Sequence, residues 1–223
     1  METKLELRRK LIRRVAAASL MTAAGGKGWI ARALAAAPDA GMRRIDGSVG
    51  INGEPARAGM VVRPGDTVHT GADGTAAYVM GGNAFLQRSG SRIHFGGTAA
   101  AGVLRVLSGR LLSVFAPGPM RIETPTAVLG IRGTGCYIEA EPERVYFCLC
   151  YGEVELTPTA TPQERETYRT THHDKPLYIY RDMALPKMAV PAGVINHSDS
   201  ELLLLEALVG RRPPFWRGDG TAY

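Results

Sequence analysis

Apolar and polar positions follow one texture from Gly41 to Gly135: apolar runs of strand length, each cut by a glycine- or proline-bearing turn. The runs fall at residues 44–51, 59–62, 67–69, 75–80, 84–87, 92–95, 103–107 and 110–115. Nineteen of the 27 glycines lie in this stretch, and turn signals recur near the 8–12-residue spacing of all-β domains. In Val103-Leu104-Arg105-Val106-Leu107, Arg105 interrupts an otherwise apolar run, as in a strand with one face partly exposed. Arg63-Pro64-Gly65-Asp66, Ala72-Asp73-Gly74 and Ala116-Pro117-Gly118-Pro119 supply the breaks. No window keeps a helical period. The pattern predicts a mainly β fold, a small antiparallel sandwich or roll of short strands.

Past Leu156 the texture changes. Residues 157–162 read as an extended linker, and a polar stretch then leads to a strand at 177–181. Ser198-Asp199-Ser200-Glu201 is a capping box ahead of Leu202, Leu203, Leu204, Leu205 and Leu208, so a C-terminal α-helix is expected. Gly210 suits its C-terminus, Arg211 and Arg212 complement its dipole, and Pro213-Pro214 stop it. The leucines are expected to dock on the β domain. Three regions result: 1–37, a β domain over 42–157, and an extension over 158–223.

Charge changes the reading of the first region. The chain carries 27 Lys and Arg against 21 Asp and Glu, a formal +6 that invites a nucleic-acid partner. Residues 1–35 hold eight of those bases and two of the acids, leaving 19 of each elsewhere. Without a net positive field the remainder lacks the drive of counterion release, so nucleic acid is not an expected partner. Arg8-Arg9-Lys10-Leu11-Ile12-Arg13, a mildly apolar stretch and the small pair Ala33 and Ala35 read as a twin-arginine-like export signal over 1–37. No later run reaches the ~20 apolar residues of a membrane span. A periplasmic or otherwise extracytoplasmic bacterial location is expected.

Two segments carry a family likeness. Val61-Val62-Arg63-Pro64-Gly65-Asp66-Thr67-Val68-His69-Thr70-Gly71-Ala72-Asp73-Gly74 resembles the FecR-like domain family. The more specific Ile122-Glu123-Thr124-Pro125-Thr126-Ala127-Val128-Leu129-Gly130-Ile131-Arg132-Gly133-Thr134 does so too. The likeness covers about residues 45–156. It implies a small extracytoplasmic β domain, which in founding members relays signals between an outer-membrane transporter and a cytoplasmic sigma-factor regulator. No regulator segment or spanning helix is recognised in this sequence, so the relay is not carried over. Gly135-Cys136-Tyr137 also departs from the family, where an aromatic follows Gly-Thr more closely. The resemblance implies a compartment and a fold, without an activity.

The candidate chemistry is concentrated in three cysteines. Cys136 precedes the turn Glu141-Pro142-Glu143-Arg144, and Cys148-Leu149-Cys150 follows it. Cys148 and Cys150 share a strand face. An odd or bulged hairpin loop would set Cys136 beside them, whereas an even loop would pair it with Leu149 on the other face. With His172 or His173 folded back, Cys136, Cys148 and Cys150 would form a Cys3His set suited to zinc, with copper or an iron–sulfur cluster less suited. A hairpin disulfide with one free thiol, or plain packing, would use the same residues without metal. His197, just before the capping box, reads as a turn residue. Three functions follow: a non-catalytic exported module binding an envelope protein or small ligand; a thiol-dependent redox protein or enzyme; and a structural envelope protein braced by a disulfide. The first is the expectation.

Overall fold

The computed structural model describes residues 40–97, 102–181 and 187–217, which fall in one unit spanning Pro38–Tyr223. The export signal read over 1–37 lies outside the described residues. In chain order the strands are β1 (Gly41–Asp46), β2 (Val49–Ile51), β3 (Glu54–Pro55), β4 (Thr67–Thr70), β5 (Thr75–Met80), β6 (Asn83–Gln87) and β7 (Arg92–Gly97). They continue with β8 (Gly102–Val114), β9 (Pro119–Glu123), β10 (Ala127–Ala140), β11 (Arg144–Pro158), β12 (Glu166–Thr170), β13 (Leu177–Tyr180) and β14 (Ala189–Pro191). A 3-10 turn at Pro162–Glu164 and the helix α1 (Asp199–Leu208) complete them.

The strands form one open sheet ordered β14-β13-β11-β10-β9-β8-β7-β4-β2-β3. From β8 a branch runs through β6 and β5 to β1, and β12 lies on β11. The pairs are antiparallel except β8 with β9. The mainly β expectation with one C-terminal helix holds. Residues 59–62, expected as a strand, are instead a turn and coil tied to β1 by Met42 N–H to the Met60 carbonyl at 2.8 Å. The runs 103–107 and 110–115 merge into β8, and β11 carries on through Pro158 into the expected linker.

The long strands change partners midway. The start of β10 pairs with β9 and its end with β8, while β11 holds β13 at its start and β12 at its end. The change coincides with irregular register, where Gly135 faces Tyr151 and Cys136 faces Leu149, leaving Cys150 as an extra residue. Such a bulge bends a strand and re-aims its side chains. Gly135 is required there, because a Cβ would lie 2.4 Å from the Tyr151 ring.

One face of the β10–β11 hairpin feeds the main core: Cys136, Ile138, Val145, Phe147 and Leu149 pack with Leu104, Leu111, Ile122 and Leu129. The opposite face, with Tyr137, Tyr146 and Cys148, is also buried, so something must cover it. The covering comes from the chain after β12, including α1. Leu202, Leu204, Leu205 and Leu208 are buried and α1 packs against β6 and β8, as the leucine pattern expected. Each buried leucine contributes about 1.5–3 kcal/mol relative to exposure. The capping box forms, with Ser198 N–H donating to Glu201 Oε2 at 3.0 Å. Gly210 adopts φ 72° after the helix, a conformation that favours glycine. Among the described residues no helix is long and apolar enough to cross a membrane.

Candidate metal centre

The hairpin turn is even. Ala140 pairs with Val145 across four intervening residues, closed by Glu141 N–H to the Arg144 carbonyl at 3.0 Å. Counting back along that register puts Cys136 opposite Leu149 and Tyr137 opposite Cys148. The expected odd loop is therefore corrected: Cys136 faces the core, away from Cys148. Its sulfur lies 3.4 Å from Ser113 Oγ, and burial pushes its thiol up to about 12. None of the three cysteines is in a disulfide.

What meets Cys148 and Cys150 is a pair of histidines from two separate loops. After β12 the chain crosses the hairpin face, where His173 N–H donates to the Cys150 carbonyl at 2.9 Å and His173 takes φ 53°. Asp174 caps this crossing by accepting from Thr171 N–H at 2.7 Å, a bond that holds its carboxyl below the usual range. From the other side the chain before α1 brings His197, whose ring stacks on Tyr137 with centroids 4.6 Å apart. Cys148, Cys150, His173 and His197 each offer a ligand atom, all within 4.8 Å of one another. His173 Nδ1 is 3.3 Å from Cys148 Sγ and 3.1 Å from His197 Nε2.

The far nitrogens of both rings are engaged. His197 Nδ1 lies 2.6 Å from the Ile195 carbonyl, and His173 Nε2 lies 3.1 Å from Asp199 Oδ1. A carbonyl accepts only, so His197 carries its proton on Nδ1 and turns the Nε2 lone pair inward. Asp199 likewise accepts from His173 Nε2–H. Two imidazole lone pairs 3.1 Å apart repel unless a positive species lies between them, a proton or a metal ion. Without metal a proton serves. Burial alone would depress His173, but the bond and charge of Cys148, then those of Asp199, hold it above its ordinary value.

The thiols divide the complementary charge. Hydrogen bonding with Cys150, joined by His173 and His197, outweighs desolvation and holds the Cys148 thiol well below its ordinary value. Burial and the neighbouring Cys148 charge keep Cys150 a protonated thiol. A metal ion would take the proton's place and the lone pairs of both sulfurs.

Of the residues named from sequence, Cys148, Cys150 and His173 thus come together. His172 does not join them: its Nε2 lies 2.9 Å from both oxygens of Asp199 and its ring packs on Phe215 with centroids 4.6 Å apart. His197 and Asp199 were missed as site residues. Their local signal was one of helix capping, and their role depends on where α1 docks.

No family model matches the chain, and no curated protein matches it. Two crystal structures of a protein described as an anti-sigma factor from Parabacteroides distasonis ATCC 8503 are similar to it in part, each 11% identical with a TM-score of 0.45. Each match covers 52% of this chain and 56% or 55% of the other, so the chain spans about half the length of the structures it resembles.

Proposed function

We propose that the protein is an exported, non-catalytic β module of the bacterial envelope that holds one zinc ion in Cys148, Cys150, His173 and His197. The observation that carries the metal reading is the convergence of those four ligand atoms within 4.8 Å, with the outer nitrogen of each histidine bonded to an acceptor. Two thiolates and two imidazoles suit a closed tetrahedral zinc site, which contributes folding energy rather than a reactive position. Such sites are worth on the order of 10 kcal/mol. The ion would join three segments distant in sequence: β11, the crossing loop and the approach to α1. Cys148 and Cys150 are two apart on one strand, a spacing that strains a disulfide and leaves them available to metal in an oxidising compartment. Export and the binding of an envelope protein or small ligand rest on the charged N-terminus and the FecR-like motif residues.

Elemental analysis of full-length protein purified without chelator tests the site. One zinc per chain is expected, lost in Cys148→Ala and in His197→Ala. Folded protein that stays metal-free after stoichiometric zinc is added would refute it.

One geometric feature favours a second reading, a thiol-dependent enzyme. Cys148, His173 and Asp199 form a line with steps of 3.3 and 3.1 Å, the order of nucleophile, base and orienter. Against it, Cys148 is 0% exposed, so no substrate reaches its sulfur in this conformation. Fast alkylation of Cys148 in the native, zinc-supplied protein would favour the enzyme, and protection would favour the metal site.

A further inference from the structure

We propose that Asp199 is the positioning residue of the metal site, fixing the tautomer of His173, and that His172 pins Asp199 rather than binding the ion. This rests on the zinc reading above and adds an outer layer to it.

Three observations converge on Asp199. Its Oδ1 lies 3.1 Å from His173 Nε2, which fixes that proton and leaves Nδ1 facing Cys148 and His197. Both of its oxygens lie 2.9 Å from His172 Nε2, so the carboxylate is held from a second side. Its side chain is 17% exposed, where water screens the contact only weakly. With its far proton fixed on Nε2, the ring keeps Nδ1 facing the ion's place, so binding exchanges only the Nδ1 proton and needs no rotation. Carboxylates behind metal-bound histidines act in this way.

A plainer role is available. Asp199 is in the first turn of α1, where a carboxylate favours the helix dipole wherever it points. That role needs no contact with an imidazole, yet the side chain turns onto two. It also predicts equivalence with Glu201 in the same turn, which accepts from Ser198 N–H at 3.0 Å and pairs with Arg88 at 2.9 Å but touches neither histidine. Glu201 is therefore the control.

The experiment measures zinc affinity of the full chain against a chromophoric chelator, in wild type, Asp199→Asn and Glu201→Gln. Asp199→Asn is expected to weaken zinc roughly 10- to 100-fold, and Glu201→Gln to leave it unchanged. Cobalt(II) substitution adds a signature that helix stability does not move: Asp199→Asn should keep the wild-type thiolate charge-transfer and tetrahedral d–d bands, because the four ligands remain. Unchanged affinity in Asp199→Asn, an equal loss in Glu201→Gln, or altered cobalt bands would each overturn the assignment. Should Asp199→Asn fail to fold, His172→Phe keeps the ring packing on Phe215 but removes the second donor to the carboxylate, from outside the ligand set. Weaker zinc binding there supports the proposal, and unchanged binding overturns it. A wild type that binds no zinc refutes the metal reading itself, whereas wild-type binding with an unaffected Asp199→Asn refutes this proposal alone.

Discussion

Replacing Cys136 by alanine should destabilise the protein modestly and leave its zinc untouched. Cys136 is fully buried in the main core beside Ser113, on the face of the hairpin opposite Cys148. Removing its sulfur costs a transfer term of about 1 kcal/mol. The residual cavity, roughly 25 Å3 at about 24 cal/mol per Å3, adds about 0.6 kcal/mol. Ser113 Oγ keeps its 3.4 Å contact with the Cys136 carbonyl, so no hydroxyl is orphaned. The total, about 1–2 kcal/mol, corresponds to a fall in Tm of roughly 2–8 °C for a chain of this size. Urea unfolding of the zinc-loaded protein reads the first quantity and elemental analysis the second. Cys148→Ala, measured beside it, should lose the ion. If Cys136→Ala also loses zinc, the even register of the β10–β11 turn is wrong and the site is the three-cysteine set.

Two further outcomes test other parts of the molecule. Hydrogen bonds from Arg105 and Arg121, at 2.7 and 2.9 Å, hold the Glu123 carboxyl below its ordinary range. A depressed folded-state value gives stability that is present above the unfolded value and lost as pH falls through the folded one. Glu123→Gln should therefore be less stable than wild type at neutral pH, with the gap closing below the ordinary carboxylate range. A gap that stays constant in denaturation midpoints down to pH 2 would contradict this. For the N-terminus, replacing Arg8 and Arg9 together by lysine should block export, because a twin-arginine signal reads the guanidinium pair. Normal export of the double variant in a fractionation assay would rule that route out.

Much of the β architecture is written locally. Apolar runs cut by Pro-Gly-Asp and Asp-Gly turns favour strands, and 75–80 becomes β5 over those same residues. The capping box likewise sets the start of α1 from four consecutive residues, since its bonds close within one turn. The Cys148-Leu149-Cys150 spacing puts both thiols on one face by the period of a strand, whatever they pair with. Other features depend on distant parts of the chain. A run such as 59–62 is apolar enough for a strand but finds its hydrogen bonds in a turn against β1. The face that Cys136 takes depends on the parity of a turn, and a one-residue difference moves a side chain from site to core. The even register is the one that places Ile138, Phe147 and Leu149 in the core together. His197 reaches Cys148 from 49 residues away, and Asp199 reaches His173 from 26. Nothing local marks them as partners, because their positions follow from the docking of the α1 leucines and the crossing of the loop at His173. The sequence alone determined the fold class, the helix and the thiol pair. The tertiary structure decided which histidines face that pair and which acceptors hold them, because those contacts exist only once separate segments pack.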